Sequence, residues 1–194
     1  MDISFGFIAK SVLLGTGLAM DAFSVSLANG LNEPKMKKPR MSLIAGIFSL
    51  FQFMMPLIGW VCVHTIAQKF ASFERFIPWI ALFLLGFIGY EMISEGIKNQ
   101  GAENEKPAVG LVGLIIQGIA TSIDALSVGF TIAGYNWPEA TLCCAIIGVV
   151  TFIICLLGLK LGKKFGTRFS GRASLLGGSI LIFIGLEIFI TSIF

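Results

Sequence analysis

The sequence predicts an all-α membrane protein of six transmembrane helices, arranged as two three-helix repeats of inverted topology. Three observations carry this expectation. Of the 194 residues, 56% are apolar and only 13% charged, about half the charged share of an ordinary soluble domain. The apolar residues gather into six runs, each close to the ~20 residues that cross a hydrocarbon core. One local pattern also occurs twice. Gly-Leu-Ala-Met-Asp-Ala-Phe-Ser-Val at 17–25 is answered by Ala-Thr-Ser-Ile-Asp-Ala-Leu-Ser-Val at 120–128, which sets Asp21 over Asp124.

In chain order, the expected spans are 5–30, 42–67, 76–97, 108–134, 139–160 and 174–193. The first lacks the basic leader and small-residue cleavage site of a signal peptide, so it reads as a retained helix. The second contains Pro56 and has His64 near its end. The third and sixth share Phe-Ile-Gly-Tyr-Glu-Met (87–92) and Phe-Ile-Gly-Leu-Glu-Ile (183–188), which sets Glu91 over Glu187. The fourth carries the second aspartate motif. The fifth ends in two overlapping GxxxG steps at Gly158, Gly162 and Gly166, a spacing that lets helix backbones approach closely. Between the spans, 32–40, 68–75, 98–107, 135–138 and 163–172 read as loops. The polar stretch 98–107 is the expected linker between a first repeat, 1–97, and a second, 108–194. Three spans per repeat is an odd number, so the halves must cross the membrane in opposite directions. Secondary transporters often follow this plan, with the substrate site near the midplane.

Charge sets the expected orientation. Eleven of the fourteen Lys and Arg follow spans 1, 3 and 5, including Lys35, Lys37, Lys38, Arg40, Lys163 and Lys164. Lys10, Lys69 and Arg75 lie on the other side. The positive-inside rule places the richer side in the cytoplasm and both termini outside. The net charge of +3 gives no general attraction to nucleic acid. No Walker motif is present for a nucleotide. Cys62, Cys143, Cys144 and Cys155 lie in apolar runs without CxxC spacing, so neither zinc nor redox chemistry is indicated.

A carboxylate inside a membrane helix costs at least ~2.5–3.5 kcal/mol, so its default reading is ion or proton handling. Asp21 and Asp124 each have a hydroxyl three residues on, Ser24 and Ser127. On the fourth span Gln117, Thr121, Asp124, Ser127 and Thr131 fall at intervals of three and four, which makes one helical face a polar stripe. Gln52, one turn before Pro56, offers a further neutral oxygen. These groups suggest an oxygen-rich cation site of Asp21, Asp124, Ser24, Ser127, Thr121 and Gln52, a donor set that suits Mg, Mn or Ca. Met20 is expected to pack on a neighbouring helix, and His64 to be a boundary residue. Glu91 and Glu187 are accessory acidic candidates, and Glu95 sits nearer a helix end. Two facing carboxylates need protons or a cation to share one site, which is the chemistry of an antiporter.

The motifs Met-Asp-Ala-Phe-Ser-Val-Ser-Leu-Ala-Asn-Gly (20–30), Pro-Leu-Ile-Gly-Trp (56–60) and Ala-Thr-Ser-Ile-Asp-Ala-Leu-Ser-Val-Gly (120–129) resemble the bacterial manganese efflux pump family, MntP, within the LysE-type exporters. The resemblance runs through all six spans. It implies a plasma-membrane exporter of Mn²⁺, not an enzyme, with Mn²⁺ as cargo and no resident cofactor, in which Asp21 and Asp124 are needed for transport. The chain departs from the family pattern where Gln52 replaces an acidic residue and at Glu91 and Glu187. Moving a divalent cation out against 100 mV costs ~4.6 kcal/mol, at ~2.3 per elementary charge, so efflux requires a coupling ion such as the proton. An amino-acid exporter would need a basic residue near the aspartates, and Lys10 and Lys160 stand near span ends. An intramembrane aspartyl protease would need a GxGD context, which is lacking. A purely structural membrane protein and a homo-oligomer are both compatible with the sequence.

Overall fold

The computed structural model describes residues 5–74 and 109–166, with isolated positions between 79 and 97 and between 179 and 190. Helix α1 runs Phe5–Asn32, α2 Lys38–Glu74, α3 Leu111–Ala120, α4 Ala125–Thr131 and α5 Trp137–Gly166. Among the described residues there is no strand. Four stretches are long and apolar enough to cross a membrane: Phe5–Asn32, Lys38–His64, Leu111–Thr131 and Trp137–Phe165. These match expected spans 1, 2, 4 and 5. Spans 3 and 6 and the 98–107 linker lie outside the described residues, apart from isolated helical positions in the two spans.

Four of the expected loops are partly helical, 32–40 and 135–138 only where a flanking helix starts or ends inside them. α2 continues through 68–74 and α5 through 163–166, because a helix leaving the bilayer needs no apolar surface to keep its own hydrogen bonds. The start of α5 is fixed locally. Asn136 accepts from the Glu139 amide at 3.1 Å, and the Glu139 carboxylate accepts from the Asn136 amide at 3.1 Å. This reciprocal pair is a capping box.

Side-chain contacts identify the two ends of the bundle. At one end Arg40 donates to Glu33 at 2.7 Å and to the Val109 carbonyl at 2.8 Å, while Lys163 donates to the Met36 carbonyl at 2.7 Å. At the other end, Trp60 donates to the Tyr135 carbonyl at 3.1 Å, and its ring lies 4.1 Å from His64 and 5.5 Å from Trp137. Lys10 sits over the Tyr135 ring at that same end. Aromatic rings with polar tips suit a bilayer interface. α1 and α5 therefore run from the aromatic end to the basic end, and α2 and α3–α4 run back. Within each repeat-related pair, spans 1 and 4 and spans 2 and 5, the helices point in opposite directions.

The packing crosses between repeats. α1 lies along α5, and α2 lies against α3, α4 and α5. Glycine makes the approach possible at both crossings. A methyl group on Gly30 would lie 2.6 Å from the Leu159 carbonyl oxygen and 3.1 Å from Gly162 Cα. On α2, a methyl on Gly59 would lie 3.2 Å from Gly129 Cα. The GxxxG residues Gly158 and Gly162 thus serve close backbone packing, as their spacing predicts. Large side chains such as Leu13, Leu50, Met54, Val112, Val149 and Ile153 remain exposed, the surface expected to face lipid.

Candidate ion-binding site

Span 4 is broken at its centre. α3 ends at Ala120, residues 121–124 form turns, and α4 restarts at Ala125. Adjacent hydroxyls help to end the first half: Thr121 Oγ1 donates to the Gln117 carbonyl at 2.9 Å and Ser122 Oγ to the Gly118 carbonyl at 2.6 Å. Such local bonds give the backbone an alternative to the helical ladder. The chain then passes through tighter turns, with the Ala125 amide bonded to the Ser122 carbonyl at 3.1 Å. Asp124 caps the second half, its side chain accepting from the Ala125 amide at 2.9 Å. The single polar stripe expected on this span is therefore corrected, because its residues sit on two half-helices and a turn. Irregular backbone at bilayer depth is tolerated only where protein or a water-filled cavity satisfies it.

Gln52 supplies part of that satisfaction. Its side chain is fully buried, and its amide nitrogen donates to two carbonyls, Leu18 at 3.0 Å and Thr121 at 3.1 Å. Each of these residues lies three positions before its own aspartate, so the two carbonyls are equivalent under the internal repeat. Gln52 thus ties α1 to the break in span 4 at matching points. Its oxygen, Oε1, is buried and has no hydrogen-bond partner among the described residues. Swapping the oxygen and nitrogen would set an acceptor against two carbonyls, so the hydrogen bonds fix this orientation.

Asp21 and Asp124 lie within electrostatic range, close enough for their charges to repel. Asp21 and Ser24 are half-buried, while Asp124 and Ser127 are exposed. Ser24 donates its hydroxyl proton to the Met20 carbonyl at 3.0 Å, which leaves its oxygen lone pairs available. Thr121 is buried, with its hydroxyl committed to α3 and its carbonyl to Gln52. Met20 is exposed rather than buried against a neighbouring helix. His64 stacks on Trp60 at the aromatic end, as a boundary residue would. Glu91, Glu95 and Glu187 lie outside the described residues.

Sequence reasoning missed Asn29. It is buried on α1, and its Nδ2 donates to Gln117 Oε1 at 2.7 Å. The available signal was an amide inside the apolar run that follows the first aspartate motif. Among the described residues, no three His, Cys, Asp or Glu side chains cluster. A cation here would draw on two carboxylates and neutral oxygens, which is hard-ion chemistry.

A family model described as "Putative manganese efflux pump" matches residues 35–189. Relatives named "Putative manganese efflux pump MntP" include one from Methanobrevibacter smithii, 39% identical over 97% of this chain and 98% of its own length. Another, from Methanosphaera stadtmanae, is 40% identical over 91% of this chain and 96% of its own. One from Clostridium botulinum, named "Putative manganese efflux pump MntP 2", is 42% identical over 92% of each. No solved structure matches the chain.

Proposed function

This chain belongs to the MntP family of manganese efflux pumps, and from that membership we propose that it exports Mn²⁺ from the cytoplasm as a secondary antiporter. The family is one of transporters rather than enzymes. The site is built on Asp21 and Asp124, with Gln52 Oε1, Ser24, Ser127 and Thr121 as neutral oxygens around it. Asp21 and Asp124 carry equivalent motifs on helices of opposite direction, and this is the plan on which six helices in two inverted three-helix repeats, 1–97 and 108–194, would alternate access. The basic end faces the cytoplasm and both termini face outward, a reading the Lys and Arg distribution supports.

The observation that supports this reading is that Asp21 and Asp124 feel each other's charge, while Gln52, with a buried unpartnered oxygen, bonds the carbonyls three residues before each of them. Two carboxylates whose charges repel at bilayer depth do not both stay charged without a counter-charge. They hold either protons or a divalent cation, so loading one releases the other. Two protons inward for each Mn²⁺ outward moves no net charge. That exchange escapes the ~4.6 kcal/mol per 100 mV that a bare divalent ion would meet.

Purified protein in vesicles loaded with Mn²⁺ tests the reading. A pH gradient should drive Mn²⁺ flux, and Asp21→Asn and Asp124→Asn should each abolish it. Flux indifferent to pH and sodium gradients would remove the coupling, and flux preserved in both variants would remove the site.

A further inference from the structure

With Asp21 set over Asp124, the inverted register extends beyond the aspartate motifs. Asn29 then corresponds to Ile132, and Leu14 to Gln117. Asn29 and Gln117, hydrogen-bonded between spans 1 and 4, lie on one side of the aspartates, and the register sets Leu14 and Ile132 on the other. Their chemistry differs. Toward the basic end, Asn29 Nδ2 donates to Gln117 Oε1 at 2.7 Å, and Gln117 Nε2 donates back to Asn29 Oδ1 at 3.4 Å. Both side chains are buried, Asn29 with 3% exposure and Gln117 with none. Toward the aromatic end, Leu14 packs against the apolar cluster that contains Ile132.

We propose that these two pairs are the gates of the transport path, and that the Asn29–Gln117 amide pair is a transient site for the entering divalent cation. The inference rests on the function proposed above. Asn29 lies eight residues past Asp21 on α1, about 12 Å along the helix axis, so an ion from the basic end reaches it first. In the closed state the two amides satisfy each other. When α1 and α3 separate, each loses its partner while buried, and a buried unpaired amide is costly. Water or a cation must then occupy the gap.

The amide oxygens are hard, neutral ligands. They can replace part of a divalent ion's hydration shell without holding it as two carboxylates do, so the ion is passed on to the aspartates. The opposite gate has no oxygen to offer. An ion leaving past Leu14 and Ile132 goes directly from carboxylates to water. This asymmetry sets the rates of entry and release. The direction of net transport is still set by the coupling ion.

The full chain, reconstituted in vesicles, tests the gate. Asn29→Leu with Gln117→Met removes donors and acceptors together at nearly unchanged shape, a replacement that is close to neutral for folding. The Mn²⁺ transport rate should fall at least tenfold, with Mn²⁺ binding to the detergent-solubilised protein within threefold of wild type. Transport within twofold of wild type would overturn the proposal, as would a tenfold loss of Mn²⁺ binding. A second measurement is independent of transport. Ser24→Cys lies between Asp21 and the gate. Its labelling by a membrane-impermeant maleimide applied at the basic end should rise at least tenfold when Asn29→Ala and Gln117→Ala are added. Equal labelling with and without those substitutions would also overturn it. If Mn²⁺ is not the cargo, the Asp21→Asn and Asp124→Asn comparison fails while the labelling result remains readable.

Discussion

Replacing Gln52 with leucine separates its two contributions, tying helices together and offering an oxygen. The glutamine nitrogen donates to Leu18 O at 3.0 Å and Thr121 O at 3.1 Å. Leu18 lies inside the continuous helix α1, so its carbonyl keeps a helical donor and loses a second bond worth about 0.5 kcal/mol. Thr121 lies in the break of span 4, and stranding its buried carbonyl costs about 1–3 kcal/mol. Removing the unpartnered Oε1 returns part of this, about 1 kcal/mol. The net loss is about 0.5–2.5 kcal/mol, which for a chain of this size lowers Tm by roughly 1–10 °C. Thermal unfolding of the purified protein in detergent measures it. Gln52→Glu should be destabilised too, since a carboxylate cannot make both donations. Added Mn²⁺ should raise its Tm more than that of the leucine variant, because it brings a third carboxylate to the aspartate pair. A leucine variant melting within 1 °C of wild type would refute the tying role. Equal responses of the two variants to Mn²⁺ would refute the placement of Gln52 beside the ion.

Asp124→Asn and Asp124→Ala should differ in stability although both remove the charge: asparagine caps a helix as well as aspartate does, while alanine costs about 1 kcal/mol, a gap that chemical or thermal unfolding resolves. Gly162→Ala places a methyl against the Leu27 carbonyl and 3.0 Å from Gly30 Cα. It should cost about 1–3 kcal/mol, whereas Gly46→Ala, with open space around it, should gain up to about 1 kcal/mol; equal Tm changes would contradict the α1–α5 packing. Electroneutral exchange predicts that an imposed potassium–valinomycin potential of 100 mV leaves the initial Mn²⁺ flux unchanged within twofold, while a charge-moving cycle would respond severalfold.

The sequence made some features plain and concealed others for identifiable reasons. Spans 1, 2, 4 and 5 were legible because lipid leaves few compositions open to a crossing helix. The correspondence of Asp21 with Asp124 is visible in the sequence because the same local pattern occurs twice. The break in span 4 was not. Helical spacing puts Thr121, Asp124 and Ser127 on one face only if the helix continues, and spacing is silent about hydroxyls that bond their own backbone, as Thr121 and Ser122 do. The two copies even diverge here, since α1 runs unbroken through Asp21. Asn29 escaped notice because its partner, Gln117, lies 88 residues away. The helical ends of α2 and α5 were read as loops because polarity was taken for irregularity.

The close fit of α1 to α5 bears on how the chain is made. Gly162 follows Gly30 by 132 positions, so α1 is synthesised long before the helix it needs. Until then its buried row of Gly15, Ala19, Ala22 and Ser26 has only lipid or other proteins to touch, and lipid tails fit such a groove poorly. The first half of the chain therefore waits with this row uncovered until α5 follows. Severing the chain within 98–107 should yield fragments that are each degraded when made alone and that survive when made together.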